Sequence, residues 1–343
     1  MTRAVLASVQ GIALAAAVAL VAAPAGAQTK TGTAIGGFLL IEPSARIAGM
    51  GNAGVTMDTG IQGVYYNPAA IGQIDRYALM FAHSAWLADI DYNYAAAALP
   101  TRKRGTLFAS VTALASGDIA VRTVDQPLGT GELYHVTDIA IGVGWGMRVS
   151  DRFSAGFQGS YVQETIWHSS ASTAVFNLGT IYRVADYGLH IGASISNYGT
   201  NASFDGRDLR ITYDQDPDRY GDNGALPGEA YAENFPVPVL FRVGVGLPYR
   251  FGEKGELRVA VDAFHPSDNS ESVSLGAEYA YKKMLALRGG YQNLFQKDSE
   301  VGLTLGAGLQ GNLSETLAYN LDYAWADHGR LDSTHRLTVG ITF

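Results

Sequence analysis

The chain closes on the stretch HRLTVGITF, His335–Phe343, in which oily and small or polar residues take turns. Successive side chains of a strand point to opposite faces. Leu337, Val339, Ile341 and Phe343 therefore share one face, and Arg336, Thr338, Gly340 and Thr342 share the other. The same period runs backwards through the sequence. VGLTLGAGLQ (301–310) sets Val301, Leu303, Leu305 and Leu309 against Gly302, Thr304, Gly306, Gly308 and Gln310. ETLAYNLDYAW (315–325) opposes Leu317, Tyr319, Leu321, Tyr323 and Trp325 to Ala318, Asn320 and Asp322. In IAIGVGWGMRV (139–149) glycines sit between Ile139, Ile141, Val143, Trp145 and Met147.

A soluble β-sandwich also alternates, but its outward face carries more Lys and Glu than these strands do. Here charged residues are only 16% of the chain, against 19 Tyr, 13 Phe and 41 Gly. Many of the apolar faces end in aromatics, as the interfacial girdles of a membrane barrel require. No apolar run after the first residues reaches the ~20 residues of a spanning helix. The pattern predicts an all-β fold: a transmembrane antiparallel β-barrel. About fourteen strands are expected, an even number as bacterial barrels have. Their cores fall at 76–86, 91–99, 105–116, 137–149, 152–167, 172–185, 187–197, 237–250, 256–264, 271–281, 284–292, 299–311, 315–326 and 333–343. Short connections (TRKRG, SDR, ADY, GEKG, KK, NLS) alternate with longer ones, including 117–132 and 199–236. Short periplasmic turns and longer outer loops suit such a barrel.

Three spans follow: a signal peptide over 1–27, an N-terminal hatch over 28–75 and the barrel over 76–343. Arg3, the Ala/Leu/Val run from Val9 to Ala23 and the small residues Ala25-Gly26-Ala27 predict export and cleavage near Ala27. The outer membrane of a Gram-negative-type bacterium is the expected location. There are no cysteines, so neither disulfides nor a lipoprotein anchor enters. A net charge of −8 argues against nucleic acid as a partner.

The hatch contains GVYYNPAAIGQ, Gly63–Gln73. Asn67 and Pro68 make a helix-start signal, yet Gly72 stops the helix after about one turn, too short to stand alone. The surrounding stretch, 36–72, is too apolar to hang in solvent and too broken by glycine to fold alone. It is expected inside the barrel or its periplasmic mouth as a hatch, where lumen side chains satisfy its backbone. Gly49, Gly51 and Gly54 let its backbone approach a wall lined by other glycines.

Three stretches at the start, FLLIEPSARIAGMGNAGV (38–55), YYNPAAIG (65–72) and HSAWLADIDYNYAAAALP (83–100), resemble the opening of PorV/PorQ-family outer-membrane proteins. These are relatives of the FadL hydrophobic-compound transporters. VAVDAFHPSDNSESVSLGAEYAYKKMLALRGGY (259–291) and LDYAWADHGRLDSTHRLTVGITF (321–343) extend the resemblance over nearly the whole mature chain. It implies a FadL-like barrel of fourteen strands with a plug carrying an Asn-Pro-Ala motif, here Asn67, Pro68 and Ala69. It also implies a scaffold or shuttle for protein cargo or partners in type IX-like secretion.

Several inward charges form a candidate lumen network. Glu278 and Arg288 are equidistant from the turn near Lys283, and Asp322 and Arg336 from Gly329. Directly opposed residues interact across strands. Arg242 and Asp262 are placed to join them. The Asp-rich connection 199–236 lacks the spacing of a calcium loop, because Pro217 and Arg219 interrupt it. It reads as a surface lid or a docking element. The seven histidines are scattered without metal spacing, and His83 and Ser84 face opposite ways. No catalytic constellation, metal site or cofactor is therefore expected. The terminal Phe343 reads as the signal for the barrel assembly machinery. Expected partners are outer-membrane lipid, that machinery, and either a secreted or surface protein or, under a conduit function, a small hydrophobic ligand.

Overall fold

In this computed structural model the described residues are 31–343, apart from 102, 103, 185–187, 217, 219, 222, 253, 297 and 298. The expected signal peptide (1–27) and residues 28–30 lie outside them.

Fourteen strands close into one antiparallel barrel. In chain order they are β1 (Ala78–Ala85), β2 (Asp91–Pro100), β3 (Thr106–Ala115), β4 (Val136–Arg148), β5 (Phe153–Ile166), β6 (Ser169–Arg183) and β7 (His190–Gly199). The circuit continues with β8 (Leu240–Phe251), β9 (Gly255–Pro266), β10 (Ser272–Tyr281), β11 (Leu285–Leu294), β12 (Leu303–Asn312), β13 (Ala318–Asp327) and β14 (Ser333–Thr342). Each strand pairs with its neighbours in sequence, and β1 pairs with β14 from Ala78↔Thr342 to Ala85↔His335. Closure leaves no unpaired edge to face lipid. Each predicted core finds its strand, with ends displaced by a few residues.

Outward positions are those that lipid would touch: Leu79, Phe81, Val143, Leu287, Leu305 and Leu337 are all exposed. Phe343 donates its backbone N–H to Tyr77 O at 2.9 Å and stacks on the Tyr77 ring at 5.7 Å. That contact sits on the seam. Deleting Phe343 should therefore lower the yield of assembled barrel several-fold while export continues. Heat-modifiable mobility on gels measures it, and unchanged yield would reject the role.

The short turns and the β1/β14 chain ends form one rim; the other carries the long connections together with the two-residue Trp167–His168 turn between β5 and β6. Among the long ones, 200–239 carries a small ribbon, Arg210–Tyr213 paired with Leu226–Glu229, and an Ala202↔Phe235 bridge. Ala202 and Val237 are buried together with Ile35, Phe38 and Leu39, so this connection folds down onto the start of the N-terminal segment.

The inward face departs on one side from the small or polar character that the alternation predicts. On β9–β14 it is polar, with Asp262, Glu278, Arg288, Thr304, Asp322 and Thr338 buried. On β1–β6 it is mixed: Met80, Tyr92, Phe108, Leu114, Val162 and Val175 are buried among polar residues such as Thr106, Ser110, Thr112, Gln158 and Thr173. The reason is the partner inside. Apolar side chains of the N-terminal segment pack against these apolar positions, while Ser154 and Glu164 of the same wall accept hydrogen bonds from Gln73 and Gly36.

Candidate functional site

Residues 31–75 occupy the lumen from rim to rim. At the long-connection rim, Thr31 Oγ1 donates to Asp268 O (3.5 Å) and Ile35 N–H to Pro236 O (2.9 Å). At the short-turn rim, Gln73 Nε2 donates to Ser154 Oγ (2.8 Å). Between them the segment forms only short turns: Gly37–Leu40, Ala45–Ala48, Gly60–Gln62 and Pro68–Gln73. Its turns close some backbone hydrogen bonds within the segment, as from Ala48 N to Ser44 O, and the remaining groups must find partners outside it. The polar half of the wall supplies acceptors. Thr338 Oγ1 accepts from Ala45 N (2.9 Å), Thr304 Oγ1 from Gly51 N (2.9 Å) and Asp262 Oδ2 from Val55 N (2.8 Å).

The Asn67-Pro68-Ala69 motif starts a 3-10 helix rather than an α-turn. Asn67 Oδ1 accepts from Ala69 N at 3.0 Å, the capping bond anticipated for an N-cap Asn. The amide nitrogen of the same side chain bonds elsewhere. Nδ2 donates to Val55 O (2.8 Å) and to Thr180 O on β6 (2.9 Å). The motif thus ties two parts of the segment to the wall. Ser194 Oγ donates to Tyr66 O beside it (2.8 Å).

The segment touches the wall where the wall is glycine. A Cβ at Gly276 would stand 2.6 Å from the Met50 carbonyl carbon, and one at Gly290 2.9 Å from Gly51 Cα. At Gly179 the intruded atom would be Asn67 Cγ (2.9 Å), and at Gly192 the Val55 carbonyl carbon (2.8 Å). Gly146 and Gly156 meet Ile71 and Pro68 in the same way. No real Cβ tolerates such distances. On the segment's side, a Cβ at Gly49 would stand 3.0 Å from Gly306 Cα. Gly51 holds φ +65°, and Gly54 is closed in by Ile47 and Tyr66. These wall glycines are site residues that the motifs in the sequence do not single out. Their signal is visible, however, as glycines at inward positions of strands such as β4 and β12.

The ionic residues are brought together, with changed partners. Glu278 and Arg288 are opposed in register and joined at 2.6 Å, as the turn arithmetic anticipated. Arg46 of the segment completes a bidentate pair with the same carboxylate (2.8 and 2.6 Å). Arg288 Nη1 lies 2.8 Å from Asp322, which also accepts from Gln62 (2.9 Å). The expected opposition of Asp322 and Arg336 is corrected. The Gly329–Leu331 turn centres one residue later, so Asp322 faces Thr338 and Arg336 faces Ala324. Arg242 and Asp262 do not pair either. Arg242 donates to Ser196 (3.0 Å) and reaches Glu42 (3.5 Å), while Asp262 is taken by Val55. At the short-turn rim Asp58 collects Arg183 (3.3 Å), Arg258 (3.6 Å) and His190 (3.9 Å). Outside the span, Arg330 donates to Glu300 (2.7 Å) and holds that carboxyl below its usual range.

Among the described residues, no cluster of three or more His, Asp or Glu is placed to hold a metal ion.

No family model matches the chain, and no curated protein matches it in sequence. Solved structures do resemble it. The toluene transporter TbuX of Ralstonia pickettii aligns at TM-score 0.54 and 12% identity, over 88% of this chain and 98% of that one. The CymD monoaromatic hydrocarbon channel aligns at 0.53 and 15%, over 88% and 97%. A FadL homologue of Pseudomonas aeruginosa aligns at 0.52 and 11%, over 89% and 98%. At such identities the likeness concerns the fold, which is that of FadL-family outer-membrane barrels.

Proposed function

We propose that this chain is an outer-membrane conduit for small hydrophobic molecules, held shut in this structure by residues 31–75 acting as a hatch. The observation that carries this reading is the two-sided lumen. One inner wall, β1–β6, carries a patch of apolar side chains among its polar ones, and Ile35, Phe38 and Leu39 lie against that patch. The other wall grips the hatch through ion pairs and hydrogen bonds. A neutral apolar solute would partition to the first wall at about 25 cal/mol per Å² of apolar surface covered. The short-turn rim faces the periplasm in this reading, and the conduit function draws support from the neighbours named as a monoaromatic hydrocarbon channel and a toluene transporter.

The alternative is the scaffold for secreted or surface proteins implied by the PorV/PorQ resemblance. It draws support from the 200–239 connection, where Tyr213, Tyr220 and Tyr231 stand exposed. Uptake of radiolabelled toluene by cells producing the protein separates the two. A several-fold rise in initial rate, cut to background by Leu114→Arg in the apolar patch, is expected of a conduit. No rise, together with a stoichiometric protein partner recovered from intact membranes, would overturn it.

A further inference from the structure

Arg336 is the cation of the anticipated charge network that the ion pairs leave out. It is 2% exposed on the inner face of β14, and its Nε and Nη1 have no hydrogen-bond partner. Its guanidinium instead lies over the Trp86 ring, 5.1 Å from the centroid. Trp86 is in turn edge-on to His328 at 5.4 Å. A ring face offers a cation some attraction but no lone pair to take an N–H. Neighbouring hydroxyls are orphaned too. Ser84, which pairs with Arg336 across the β1/β14 seam, is fully buried with Oγ unpartnered. So is Ser44, one residue before the Ala45 N–H that docks on Thr338, the next inward residue of β14. Tyr66 Oη is likewise without a partner.

Each of these orphans is a donor, or a hydroxyl able to donate. A buried guanidinium with two idle N–H groups is costly, and such groups are rare in folded proteins. Leaving a charge uncompensated in a lumen is the expensive case. Glu42 is the nearest candidate counter-charge on the segment, but its carboxylate is engaged with Arg242 at 3.5 Å. The missing element is an acceptor that carries negative charge and is small enough for a packed interior.

We infer that Arg336, Ser84 and Ser44 form a buried binding site for a small monovalent anion of the halide class, seated between the β1/β14 seam and the N-terminal segment. The anion would accept from Arg336 Nε and Nη1 and from the serine hydroxyls. It would thereby tie seam, segment and Trp86 into one unit. The site is independent of the conduit reading, because it rests on the unpartnered donors at the β1/β14 seam and not on the apolar patch.

Trp86 makes the test optical. Bromide quenches tryptophan on contact, so occupancy places a quencher against Trp86. Purified full-length protein in detergent is titrated with sodium bromide against sodium gluconate at constant ionic strength. The expected result is a saturable loss of one part of the fluorescence, absent in Trp86→Phe and in Arg336→Met, over a linear background from the other tryptophans. Crystals grown in bromide should show an anomalous peak within hydrogen-bonding distance of Arg336 Nε. That measurement needs no variant and so survives any failure of Arg336→Met to fold. Quenching that stays linear and equal in all three proteins, or density at Arg336 that lacks anomalous signal and refines as water, overturns the proposal.

Discussion

Gly276→Val is expected to drive the Met50–Gly51 turn off the barrel wall and open the lumen to ions. The new side chain would need space now filled by the Met50 carbonyl, which is backbone and cannot swing aside as a rotamer can. Overpacking of this kind costs about 1–3 kcal/mol at a single site. The companion change Gly179→Val strikes Asn67, so the pair attacks the segment at two distant points of its path. Such separated effects add. Together they are comparable to the hydrogen bonds from Ala45, Gly51 and Val55, three of the ties that hold the segment beside the Arg46–Glu278 pair. At roughly 1 kcal/mol each, these amount to about 3 kcal/mol. The double variant should therefore show bilayer conductance far above wild type and rapid proteolysis between residues 31 and 75. A fully folded double variant with wild-type conductance would show that the segment is not what closes the barrel.

Glu278→Gln should produce the largest single loss of stability. Its carboxylate takes three short hydrogen bonds, two from Arg46 and one from Arg288, and is buried. Neutralising it leaves two guanidiniums facing Asp322 alone. Breaking a buried pair on one side costs about 3–5 kcal/mol, whereas replacing a whole ionic set can be close to neutral. Hence Glu278→Gln should lower the thermal midpoint by about 10 °C. Adding Arg288→Gln to it should restore part of the loss rather than deepen it. Strict additivity of the two changes in melting experiments would contradict the network.

How much of this was legible in the sequence follows from period and pairing. A strand's period of two is strict, so the lipid-facing set was readable wherever it was written, as in Leu337, Val339 and Ile341. The opposition of Glu278 and Arg288 was readable because Lys282 and Lys283 make a tight turn with a fixed centre. The Asp322–Arg336 pairing failed for the converse reason. A turn with a 3-10 stretch at Gly329–Leu331 can centre on either of two residues, and one step of centre moves partners by two. The apolar patch on β1–β6 could not be read from those strands alone. Met80 or Leu114 has the same character whether it meets lipid or a tucked-in peptide, and only the segment decides which. Arg46 is likewise hidden from a reading of hairpins, because its partner lies 232 positions away.

The path of residues 31–75 has one more consequence, for the order of events in assembly. The peptide enters beside Asp268 and leaves beside Ser154 at the opposite rim, with wall glycines pressed against it on β4–β7 and β10–β12. A finished cylinder leaves no clearance for a peptide to be drawn through lengthwise. This packing predicts that the strands are wound around it, as around a mandrel, with the β1/β14 join zipped last.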